Sequence, residues 1–141
     1  MGTKRLSPAE LEVWHAWKQS ADRIRHRVAR DIAAATGLSD PDYGVLSRLA
    51  DLGGGQLRQQ DLADSMDWDK SRLSHHLTRM QQRGLVERRP ADGTVTVHLT
   101  GAGRAALAEA VPVHAAAVRR HLLSRLSREQ QRAITGLTAD E

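Results

Sequence analysis

Cysteine is absent from the 141 residues. Disulfides, thiolate metal sites and thiol redox sensors are therefore excluded. Phenylalanine is absent too, leaving three tryptophans and one tyrosine as the whole aromatic complement. No apolar run approaches the roughly 20 residues of a bilayer span, so no membrane crossing is expected. The opening MGTKRLSPAELEVW has no apolar core of a signal peptide, and a cytoplasmic setting is expected. One absence is local. Between Asp69 and Glu87 there is no acidic residue, although the chain carries 17 in all.

The stretch WDKSRLSHHLTRMQQRGL, residues 68–85, instead holds Lys70, Arg72, Arg79 and Arg83 with His75 and His76. Residues 70–104 contain seven Lys or Arg against Glu87 and Asp92, a balance of +5 in a chain of net charge +4. The remainder is therefore at −1, and the whole excess sits in one quarter of the sequence. A concentrated basic region is the electrostatic footprint of a polyanion binder. The alternative is an Arg-rich solvated surface, and charge alone does not separate the two.

The length suits one domain with one core. Ser7-Pro8-Ala9-Glu10 is a capping box with proline at the first helical position. Trp14, Trp17, Ala21, Ile24, Val28, Ile32 and Ala35 then recur at helical spacing, and Gly37 supplies a stop. Such a helix runs about 40 Å at 1.5 Å per residue, long enough to pack against a partner as well as its own chain. Ser39-Asp40-Pro41-Asp42 starts a second helix, faced by Tyr43, Leu46, Leu49 and Leu52, and Gly53-Gly54-Gly55 ends it. Gln56-Leu57-Arg58 reads as a short strand. A short helix over 60–66 buries Leu62, Ala63 and Met66. After the turn at Asp67-Trp68, Asp69 caps a helix to Gly84 with Leu73, Leu77 and Met80 inward. This is helix-turn-helix spacing.

Residues 85–89 and 94–99 read as two strands joined around Ala91-Asp92-Gly93, a hairpin signal. Thr100 caps a last long helix whose face holds Leu107, Val111, His114, Val118, Leu122 and Leu126, with Pro112 expected to kink it. Ser127-Arg128-Glu129-Gln130 starts a short final helix with Ile134 and Leu137. The fold class is mainly α: a winged helix-turn-helix with a small β-hairpin wing and long terminal helices. The expected divisions are 1–38, 39–99 and 100–141.

With Leu73, Leu77 and Met80 inward, Lys70, Ser71, Arg72, Ser74, His75, Thr78 and Arg79 lie outward or on the flank. A helix fits the major groove, arginine pairs bidentately with guanine, and Ser or Thr can serve base or phosphate. Acidic side chains there would repel phosphates, which accounts for their absence. Enzyme chemistry finds no support: Gly53-Gly54-Gly55 lacks the Lys and Ser/Thr of a phosphate loop, and there is no nucleophile elbow or carboxylate pair. His114 and His121 share a helix face without a clear carboxylate partner, so no metal site or cofactor is expected.

The stretch LRQQDLADSMDWDKSRLSHHLTRMQQRGLVERR, followed by VHLTGAGRAAL, resembles the winged-helix core of the MarR family of bacterial transcriptional regulators. Leu62-Ala63, Ser71 with Ser74, Arg79-Met80, Gly84-Leu85-Val86 and Leu99-Thr100 with Gly103 sit at the family's spacing. The flanking helices resemble its dimerisation region, so the resemblance covers almost the whole chain. It implies a homodimer on a palindromic operator in double-stranded DNA, usually repressing and often released by a small molecule. Its effectors are often phenols or aromatic acids, for which Trp14, His15, Trp17 and Tyr43 are the candidate pocket. One departure concerns the wing: the family's Asp-x-Arg is replaced by Asp92-Gly93-Thr94 on a tip about three residues shorter than is usual. Arg88 and Arg89 are left as candidate phosphate contacts. The competing readings are a winged helix that contacts protein instead of DNA, and a DNA binder without ligand control.

Overall fold

The computed structural model describes residues 4–139. The outermost parts of the first and last expected divisions, residues 1–3 and 140–141, lie outside the described residues. Six helices and a three-stranded antiparallel sheet follow in the order α1 (Pro8–Thr36), α2 (Asp40–Gly53), β1 (Gln56–Arg58), α3 (Gln59–Met66), α4 (Lys70–Gln82), β2 (Val86–Ala91), β3 (Thr94–Leu99), α5 (Gly101–His121) and α6 (Arg128–Gly136).

The helix starts are set by the caps the sequence carries. Ser7 accepts from the Glu10 amide while Glu10 reaches back to the Ser7 amide, and Ser39 with Asp42 repeats the arrangement at α2. Asp69 accepts from the Arg72 amide at 2.8 Å, and Thr100 from that of Gly103 at 3.0 Å. Each such cap stabilises its helix by about 1 kcal/mol and, more usefully here, fixes where the helix begins. α1 and α2 both end on a left-handed glycine, Gly37 at φ 77° and Gly54 at φ 62°.

One core cluster joins α2, α3, α4 and the sheet to Val28 and Ile32 of α1 and Ala110 and Ala117 of α5. Val45, Leu46, Leu49, Leu62, Leu73, Leu77, Met80 and Val97 are wholly buried. Each such side chain contributes about 1.5–3 kcal/mol by leaving water, far more than differences in helix propensity. Burial of Leu73, Leu77 and Met80 therefore decides which face of α4 looks outward.

The sheet order is β1-β3-β2, with Leu57 opposite Val97 on one side and Arg88 opposite Val97 on the other. Pro90 is tolerated because β2 is an edge strand. Asp92 and Gly93 both have positive φ, 48° and 79°. This is the backbone of a tight two-residue hairpin turn, so the tip is as short as the sequence implied. Gly103 lets α5 start directly against the hairpin: a Cβ there would lie 2.1 Å from the Leu85 carbonyl oxygen.

One boundary differs from expectation. α5 stops at His121, and Leu123–Arg125 form a separate 3-10 turn, so Leu122 and Leu126 do not continue its face. The Ser124 hydroxyl donates to the Arg120 carbonyl at 3.1 Å, a local bond that competes with the helical ladder. α1 packs along α5. No helix among the described residues is long and apolar enough to cross a membrane.

Candidate nucleic-acid interface

α3 and α4 are joined by a turn in which Asp67 takes left-handed φ, 54°, and the Trp68 amide donates to the Ala63 carbonyl at 3.0 Å. α4 then places Lys70, Ser71, Arg72, His75, Thr78 and Arg79 in solvent, with Ser74 half-buried. All seven are thus on the exposed side or flank of one helix, as its periodicity predicts. Beside them, a cleft of about 410 Å³ runs between α3, the start of α4 and the wing tip, lined by Arg58, Gln60, Lys70, Leu73, Thr94 and Val95 among others.

The cations differ in what holds them. The Arg72 guanidinium lies over the Trp68 indole, its Cζ 3.7 Å from the ring centroid. Arg79 Nη2 lies 3.2 Å from His76 Nδ1. Arg88 crosses from β2 over α4: its Nη2 donates to Thr78 Oγ1 at 2.8 Å and its Nε to Gln81 Oε1 at 3.2 Å. Thr78 in turn donates to the Ser74 carbonyl at 3.0 Å. Arg88 and Thr78 are therefore engaged with each other, and the pair ties the hairpin to α4. Arg89 is exposed and pairs with Glu87 at 3.2 Å.

Behind α4 is a buried polar cluster that the sequence reading did not single out. Asp42 is 3% exposed; its Oδ2 accepts from Arg83 Nη1 at 2.7 Å and from the Ser39 amide at 2.9 Å. His76 Nε2 stands 3.0 Å from Asp42 Oδ1, but obliquely, so the contact is electrostatic and not a formed hydrogen bond. Burial raises the Asp42 pKa, yet Arg83 and Ser39 outweigh it and hold the carboxyl below its ordinary range. Burial pushes the His76 pKa down; Asp42 opposes this, and Arg79 and Arg83 add to it, leaving the imidazole below its ordinary value. A signal for this cluster existed. His76 lies three residues after Leu73 and four before Met80, a spacing that puts it on the inward face, unlike His75.

Three of the four candidate pocket residues are in aromatic pairs. Trp14 and Trp17 stack at 5.8 Å with Lys18 over Trp14, and both indoles are about half exposed. Tyr43 stacks on His114 at 4.6 Å. His15 is exposed on α1. Neither the cleft at the wing nor a shallow groove of about 550 Å³ between α1 and α5, lined by Asp31, Ala35, Val113 and Arg120 among others, includes any of the four. His121 Nε2 meets Asp31 Oδ2 at 2.8 Å, so His114 and His121 each have a partner within the chain.

A short helix pair, an outward second helix without acidic side chains and a hairpin packed against it define a winged helix-turn-helix protein. Residues 36–94 match the model of the MarR family. No curated protein matches the chain. Among solved structures, the chain is similar to AbsC, a MarR family transcriptional regulator from Streptomyces coelicolor, at 29% identity and TM-score 0.90, covering 98% of this chain and 95% of that one. It is similar to Sco3205, a MarR family regulator from the same organism crystallised with DNA, at 28% identity and TM-score 0.90, covering 96% and 87%. A probable transcriptional regulator from Pseudomonas aeruginosa matches at 26% identity and TM-score 0.74, covering 91% and 95%. The family model thus matches the helix-turn-helix and most of the hairpin, and the fold is that of solved MarR family transcriptional regulators over nearly the whole chain.

Proposed function

We propose that the protein is a homodimeric regulator that sets two α4 helices into successive major grooves of a palindromic operator and represses transcription there. The observation that carries this reading is the outward face of α4, where Lys70, Ser71, Arg72, His75, Thr78 and Arg79 are exposed with no acidic neighbour on the helix. Arg72, in the first turn, is the base reader, and Arg79, further along, is the phosphate contact. Ser71, Ser74, His75 and Lys70 complete the contacting set, with Arg88 bracing the wing and Arg89 beside the backbone. The DNA-bound state of Sco3205, which shares the fold over nearly the whole length, supports the same occupant here.

Dimerisation rests on the apolar surface left open at both ends of the chain. Every residue from Lys4 to Ser20 is exposed, including Leu11, Val13, Trp14 and Trp17, and so are Ile134 and Leu137 on or just after α6. Apolar residues at that density are suited to an interface. A two-fold dimer spaces its recognition helices by about 34 Å, one turn of DNA. Release by a small aromatic acid belongs to the same proposal, with Trp14, His15, Trp17 and Tyr43 as candidate contacts once a second copy covers α1.

The test is binding to DNA selected from a random pool, measured across a salt series together with the oligomeric state by sedimentation. Expected are a dimer and an affinity falling steeply with salt, as phosphate contacts release counterions. A monomer that ignores all DNA would leave the protein-contact reading of the winged helix. Titrating aromatic acids while following Trp fluorescence and operator release tests the effector; no response across a broad panel removes it.

A further inference from the structure

Five arginines stand on or beside α4, and four of them donate within the chain. Arg79 meets His76, Arg83 meets Asp42, Arg88 meets Thr78 and Gln81, and Arg89 meets Glu87. Arg72 is held differently. Its guanidinium lies 3.7 Å from the Trp68 ring centroid, and among the described residues no oxygen accepts from its side chain. A stacked guanidinium keeps its charge and keeps its N–H donors, which point outward in the plane of the group. The stack therefore restrains the side chain without spending a single donor.

The indole that carries it is itself fixed. Trp68 precedes the Asp69 cap, and its backbone is tied to the end of α3 through the Ala63 carbonyl at 3.0 Å. The His76 ring meets the indole edge-on, centroids 5.8 Å apart at 81°, and His76 is seated against Asp42. Trp68 is met by His76 on one side and Arg72 on the other, so imidazole, indole and guanidinium form one file. Its inner end is buried at Asp42, and its outer end is the exposed Arg72.

We propose that Trp68 is a specificity-positioning residue, a shelf that holds Arg72 so that its donor edge meets one base pair in each half-site. This rests on the reading that α4 enters the major groove. The best partner for a planar pair of parallel donors is the O6/N7 edge of guanine. An arginine without a shelf must give up the freedom of its long side chain on binding, which costs affinity for the correct base. Lys70, an exposed point charge in the same turn, has no planar fork with which to read a base in this way.

The experiment uses the full-length protein and a duplex selected from random DNA. Wild-type binding to that duplex comes first; if none is found, the DNA-binding reading fails before the shelf is tested. Affinities are then measured on a set of duplexes, each altered at one base pair, for wild type, Arg72→Ala, Trp68→Phe, Trp68→Leu and Trp68→Leu/Arg72→Ala. Arg72→Ala is expected to lose about tenfold or more in discrimination at one pair per half-site. Trp68→Leu is expected to lose roughly two- to fivefold at that same pair, the worth of an exposed cation–π stack, and to behave as wild type at the others. Trp68→Phe restores the discrimination, and the double variant matches Arg72→Ala. Uniform weakening at every position, additivity in the double variant, or tighter binding by Trp68→Leu overturns the proposal. If Trp68→Leu does not fold, the Arg72 Nε–H resonance of the wild-type protein decides. A ring-current shift upfield of the other arginines supports the shelf, and an ordinary position overturns it.

Discussion

Arg83, just past the end of α4, donates at 2.7 Å to Asp42 in the first turn of α2, 41 residues earlier. The same carboxylate oxygen also accepts from the Ser39 amide and so closes the capping box of α2. One buried side chain thus starts one helix and secures the far end of another. Asp42→Ala is expected to cost about 2–4 kcal/mol, about 1 for the cap and the rest for the charged hydrogen bond. The Arg83 side chain is 46% exposed, so Arg83→Ala leaves a shortened partner for Asp42 that water can replace. Its cost is expected to be about 1 kcal/mol. Urea unfolding of the two variants checks the inequality, and equal losses would contradict it.

Stability is expected to fall on mild acidification. His76 titrates below its ordinary 6.5 in the folded chain, so the unfolded chain takes up the proton first as pH falls. Its contribution is whole above 6.5 and is lost as pH drops through the lower folded value. Asp42, also lowered, contributes above its ordinary 3.8 and loses that contribution only at still lower pH. As pH falls below 6.5 the first part of the slope therefore belongs to His76. His76→Gln should flatten the dependence of unfolding free energy on pH in that window. An unchanged slope would place the titrating group elsewhere.

Gly103 is where α5 touches the hairpin. Adding a methyl group places carbon 2.1 Å from the Leu85 carbonyl oxygen, which is backbone and cannot rotate away. Gly103→Ala should cost at least the 1–3 kcal/mol typical of overpacking, read as a drop in Tm. Gly101, with open space around its Cβ position, is the control and should tolerate alanine with little change.

Arg88 and Arg89 are neighbours with different surroundings. Arg88 is committed to Thr78 and Gln81, whereas Arg89 is exposed and pairs only with Glu87. Arg88→Ala should weaken binding to all DNA by loosening the hairpin while leaving the salt dependence close to wild type. Arg89→Ala, if Arg89 meets a phosphate, should reduce the salt slope by about 1. Affinities at four or five salt concentrations separate the two, and the opposite assignment of slopes would refute this division.

Local signals in the chain were the most legible. The serine caps at 7, 39 and 127, the Asp69 cap and the Asp92-Gly93 turn all name their own geometry through short-range chemistry. Leu73, Leu77 and Met80 then oriented α4 by periodicity alone. What stayed hidden depends on residues far apart in sequence: Asp42 finding Arg83 and His76, Arg88 finding Thr78, Tyr43 finding His114. No spacing rule links those positions, because the distances are set by how α2, α4, α5 and β2 pack. The end of α5 stayed hidden for a different, local reason: the chain tightens into a 3-10 turn at Leu123–Arg125 while the pattern of leucines reads as continuous.

The hairpin turns within two residues, Asp92 and Gly93, and carries no arginine at its tip. A wing that ends so abruptly has little reach along the duplex beyond the recognition helix. Nuclease protection should then stop close to the outermost base pairs touched by α4, giving a shorter footprint than a long-winged dimer leaves. Lengthening that turn is the place where an engineer would start to widen it.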